Sequence, residues 1–185
     1  MPLFDAVKLN GQAVAPVLEA GERLLAMGTV HAHWSGDTSA LASEGGGEGG
    51  SGRLVEGVDW TGVQYNQDRI NRAISGVSGS GAAGSWGDRT WQALRAHAGT
   101  VDWAITDRRL LFLDHQIGNP PVFTVQFAVP RAAIRSARRR SKFLFQWGRV
   151  EVTFADGSMI ALVLALLDLG AAGLFLRSLD SGGAA

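Results

Sequence analysis

Hydrophobic and polar positions along this chain switch between a period of two and a period near 3.6. Val101, Trp103 and Ile105 alternate with Asp102 and Ala104, as a half-buried strand requires. Thr106-Asp107-Arg108 supplies turn chemistry, and Arg109 to Leu113 resumes as an apolar run. Val122 to Val129 alternates again after the turn Gly118-Asn119-Pro120-Pro121. Phe143, Phe145 and Trp147 alternate, and Arg149–Phe154 with Ser158–Leu164 predicts a hairpin across Ala155-Asp156-Gly157. Leu24 to Trp34 reads as the first strand.

Helical spacing stands out in three places. Phe4 to Leu18 carries a short, interrupted pattern. Asp88 to Ala98 is predicted as a helix with Asp88 as its cap, Trp91, Leu94 and Ala98 on one face, and Gly99 as its stop. After Asp168, which is expected to cap it, a closing helix presents Leu169, Ala172, Phe175, Leu176 and Leu179. Met159 to Leu176 has about the length of a membrane span. Asp168 sits within it, and a central Asp costs about 2.5–3.5 kcal/mol on insertion. The segment is therefore read as strand plus helix.

Between the first two strands lies a long excursion, residues 35–98. It includes Glu44-Gly45-Gly46-Gly47-Glu48-Gly49-Gly50-Ser51-Gly52, which has almost nothing to bury. Val58–Tyr65 could form a small hairpin or an irregular strand, and Asp68–Val77 has weak helical spacing. A wholly structureless loop of this length is unusual in a compact domain, so the part after Gly57 is expected to pack.

Segments in order along the chain carry a family resemblance. Gly21-Glu22-Arg23-Leu24-Leu25 leads into the first strand. Thr106-Asp107-Arg108-Arg109 turns between the second and third. Val129-Pro130-Arg131-Ala132-Ala133-Ile134 leads into the middle strands. Together they resemble the GRAM and bacterial pleckstrin-homology-like domain family, over Ala20–Trp34 and Gly99–Leu179. The resemblance implies a mainly β fold with some α: an antiparallel barrel of about seven strands, one open end plugged by a C-terminal helix. Residues 1–19 would be a helical extension and 35–98 an insertion, in a single domain. It also implies a non-enzymatic binding module for a protein partner or an anionic lipid surface. Barrels of this kind leave a groove between a strand edge and the C-terminal helix, where an extended segment can add as a strand.

Charge sharpens that expectation. Lys plus Arg and Asp plus Glu both number 17, which argues against a dedicated nucleic-acid binder. The balance is not local. Arg131, Arg135, Arg138, Arg139, Arg140, Lys142 and Arg149 all fall between His115 and Val150, an interval with no Asp or Glu. Arg138 to Lys142 is expected on a loop, with Phe143 following at once. Cations beside an aromatic suit an anionic head group or membrane surface. The plainer reading is a solvated turn whose arginines pair with insertion acids such as Glu44, Glu48 or Glu56. The expected ligand-binding residues are therefore Arg131, Arg135, Arg138, Arg139, Arg140, Lys142 and Phe143.

Other motifs are weaker. Gly79-Ser80-Gly81-Ala82-Ala83-Gly84 matches G-x-G-x-x-G, but what precedes it is Gly/Ser-rich, and a flexible linker is the expectation. His31-x-His33 lacks a third ligand nearby in sequence. With no cysteine, thiolate chemistry is excluded, and the residues predict no catalytic set, metal or cofactor. Trp103 and Trp147 are assigned to the core, while Trp60, Trp86 and Trp91 should anchor the insertion. The alternatives are a small-molecule enzyme with its site in the insertion near Trp91 or Trp60, and a scaffold that self-associates through strand edges. The N-terminus lacks a signal-peptide pattern, so a cytoplasmic protein, peripheral at the membrane if it binds lipid, is expected.

Overall fold

The computed structural model describes residues 6–32, 78–96, 99–116, 118–140, 148–164 and 169–181. Among the described residues the chain is mainly β, built as two antiparallel sheets with three α-helices. The first sheet contains β1 (Leu24–Ala32), β3 (Gly99–Thr106), β4 (Arg109–Gln116) and β5 (Val122–Pro130), ordered β1-β3-β4-β5. The second is the meander β6 (Ile134–Arg139), β7 (Arg149–Phe154) and β8 (Met159–Val163), with the three-residue β2 (Ser78–Ser80) added on the outside of β8. Around them lie α1 (Ala6–Val14), α2 (Trp86–Ala96) and α3 (Leu169–Ser181).

The inner faces of the two sheets form one core. Trp103, Ile105, Leu110, Phe112 and Val129 from the first meet Val150, Val152, Phe154, Ile160 and Leu162 from the second. Ala172, Phe175 and Leu179 of α3 and Leu94 of α2 close that core, with Trp86 and Trp91 packed against it. The Trp103 ring meets the Phe175 ring edge-on at 5.0 Å. This pair contributes about 0.5–1.5 kcal/mol beyond its buried area. The outer face of the first sheet is also apolar: Met27, Ala104, Leu111, Leu113 and Phe123 are buried beneath Val7, Ala13 and Val14 of α1. Double coverage explains why Leu110 to Leu113 reads as a continuous apolar run instead of an alternation.

Several expectations need correction. The sheets do not close into a barrel. Pro130 ends β5 without an N–H to donate, and the 3-10 turn Arg131–Ala133 carries the chain across to β6. At the other corner, among the described residues, β1 and β8 meet through an isolated bridge from Val30 to Leu164. The helix expected from Asp88 begins at Trp86 and ends at Ala96. Its cap is Ser85, whose Oγ accepts the Asp88 N–H at 3.3 Å. Ser78–Ser80 is a strand, not linker, because the edge of β8 offers backbone groups that small residues can approach and satisfy. Met159 and Leu176 fall in separate elements, β8 and α3, and no helix among the described residues is long and apolar enough to cross a membrane. The first strand is described to Ala32. Trp34 and the expected cap Asp168 lie outside the described residues.

The residues that carried the family resemblance join the sheet at one point. The Glu22 side chain is fully buried and receives both Nε and Nη2 of Arg109, the hydroxyl of Thr106 at 2.6 Å and the N–H of Glu19 at 2.8 Å. Thr106 Oγ1 in turn accepts the N–H of Arg109 at 2.8 Å. Beside it, Asp107 accepts the Arg23 N–H at 3.0 Å and donates its own N–H back to the Arg23 carbonyl at 3.1 Å. Burial alone pushes the Glu22 carboxyl up. The bonds from Arg109, Thr106 and Glu19 outweigh it and bring the pKa from 4.5 down to about 2.

Two outcomes are expected. Because the folded pKa of Glu22 lies below its ordinary value, its stabilisation is complete above about pH 4.5 and disappears as pH falls toward 2. That loss amounts to about 3 kcal/mol, and urea melts at a series of pH values should show it, with a flatter profile for Glu22→Gln. Gly28 lies directly under Trp103, where an added Cβ would stand 2.8 Å from Cζ2 of the indole. Gly28→Ala should destabilise by about 1–3 kcal/mol and shift the tryptophan fluorescence.

Candidate basic face

The cationic residues predicted from sequence divide into separate groups. Arg131 is a packing residue. It is half-buried at the crossing between the sheets, and its Nη1 donates to the Ser178 carbonyl at 3.0 Å, near the C-terminus of α3, where a cation is favoured. Burial lowers its pKa, against the opposing charges of Asp180 and Asp107. Arg149 is likewise buried, and burial lowers its pKa too. Lys142 and Phe143 lie outside the described residues, as do Trp147 and the insertion acids Glu44, Glu48 and Glu56.

The remaining four arginines line β6, an edge strand of the second sheet among the described residues, and the position just after it. Ile134 and Ala137 turn toward the core, whereas Arg135, Ser136, Arg138, Arg139 and Arg140 are exposed. Register shifts between Ile134 and Ser136, so Arg135 is the extra residue of a bulge, a device that re-aims side chains at sheet edges. Arg138 and Arg139 belong to the strand itself rather than to a loop: Arg139 is opposite Val150, and Arg140 N–H still donates to the Arg149 carbonyl at 3.0 Å.

Arg138 is opposite Glu151 in register, and its Nη2 lies 3.2 Å from Glu151 Oε2. Arg140 Nη1 approaches the same oxygen at 3.7 Å. Arg138 and Arg140 thus share a carboxylate from the neighbouring strand. Arg138 is 62% exposed, whereas the Glu151 side chain is 8% exposed, so the pair has one solvated end and one buried end.

The glycine-rich motif is an architectural joint. Gly79 and Ser80 lie in β2, Gly81 and Gly84 have φ of 149° and 78°, and α2 follows. Strand, glycine loop and helix are in the order a phosphate loop would use. The helix N-terminus is already occupied, however. Trp86 N–H donates to Asp156 Oδ2 and Gly87 N–H to Ser158 Oγ, both at 2.8 Å. The hydroxyl of Ser158 and the N–H of Trp86 hold the Asp156 carboxyl below its ordinary pKa. The chain's own carboxylate fills the place an anionic ligand would take. A shallow surface depression lies beside it, lined by Ser80 to Ser85 and Asp156 to Ser158.

One polar cluster escaped the sequence reading. On the outer face of the first sheet, Asp102 accepts the Thr29 hydroxyl at 2.8 Å and lies 3.3 Å from Nδ1 of His115. Burial raises the Asp102 pKa, against those two partners. Only β pairing brings these residues together, so no local spacing announces them. Among the described residues no three His, Cys, Asp or Glu groups could hold a metal ion. His33 lies outside them.

No protein-family model matches this chain, and no curated protein matches it.

The joint between α2 and the hairpin yields a test. A Cβ on Gly87 would stand 2.8 Å from the carbonyl oxygens of both Met159 and Ser80. Gly87→Ala should therefore push α2 off the second sheet and lower the melting temperature. Asp156→Ala should chiefly release the helix N-terminus, with faster amide exchange confined to the first turn of α2 and to β2.

Proposed function

We propose that this chain is a non-enzymatic binding module of the pleckstrin-homology and GRAM-like class, and that its partner is a protein presenting an extended acidic segment. The observation that carries this reading is the position of the arginines. Arg135, Arg138 and Arg139 lie on a strand that pairs on one side with β7 and, among the described residues, on its other side with no strand. Such an edge takes an additional strand through its backbone, and the exposed guanidinium groups select carboxylates. The architecture supports the class assignment. A four-stranded meander is followed by a three-stranded one, and the last helix packs near β1, β3 and β6.

The lipid reading rests on the same cations but draws its apolar anchor from Phe143. A surface of separate guanidinium groups spread along a strand edge suits a linear polyanion better than a single head group.

Fluorescence anisotropy with a labelled peptide of alternating Glu and Thr tests the proposal. Binding should weaken as salt rises, and by roughly tenfold or more in the Arg135→Glu, Arg139→Glu double variant. Co-sedimentation with phosphatidylcholine vesicles, with and without phosphatidylserine, provides the other arm. Capture by the anionic vesicles without peptide binding would assign the face to a membrane. Failure to bind either probe would overturn the basic-face reading.

A further inference from the structure

We draw no further inference here: the strongest candidate, the side-chain cluster on the outer face of the first sheet where the Thr29 hydroxyl and the His115 imidazole meet the two oxygens of Asp102, brings together only two groups able to ligate a metal or move a proton, with no third such group joining them among the described residues and nothing in the structure to show what the imidazole would meet.

Discussion

The first sheet depends on a carboxylate that water does not reach. Glu22 precedes β1, while Thr106 and Arg109 flank the two-residue turn between β3 and β4, far from Glu22 in sequence. A buried charge is tolerable when it is fully hydrogen-bonded, and here two guanidinium nitrogens, a hydroxyl and a backbone N–H provide that. The bonds also anchor the start of the pairing: with Glu22 held, Leu24 falls opposite Thr106, and after a register shift at Leu25 the residues from Ala26 onward pair along β3. A slip of β1 by one position would turn Ala26 and Val30 out of the core. The short motif therefore sets alignment first, and the apolar packing follows from it.

Elements with strict periodicity were legible in the sequence. β3, β4 and the β7–β8 hairpin fall where alternation and turn residues put them, because one face of each must be buried. Leu110 to Leu113 could be read as a strand, but not the reason for its double-sided apolarity, since α1 covers the outer face through contacts invisible to local pattern. The start of α2 was misplaced because two residues compete for its cap. Asp88 is a good capping residue, but Ser85 takes the role and Asp88 reaches back to the Gly84 N–H. The barrel expectation failed at Pro130 and the 3-10 turn after it, where the chain leaves one sheet for the other.

The candidate site was legible as composition and not as geometry. A run of cations without acids announced a basic region. It did not separate Arg131, which secures α3, from Arg135 and Arg139, which face solvent. Nor did it show that Arg138 and Arg140 share Glu151, a cross-strand partner determined only by pairing register. The depression beside the glycine motif teaches the converse. Gly79 to Gly84 looks like ligand chemistry in sequence, yet Asp156 and Ser158 already satisfy the helix terminus that would bind the ligand.

The distance in sequence between Glu22 and Arg109 has a kinetic consequence. β1 emerges from the ribosome long before β3 and β4, so its pairing partner and its ion-pair partner do not yet exist. Closing so long a loop is entropically slow, and domains dominated by such non-local pairings fold in milliseconds to seconds. The β7–β8 hairpin, with a three-residue turn, is by contrast complete as soon as it is made. The second sheet should therefore nucleate folding, even though the first sheet's opening strand is synthesised earlier.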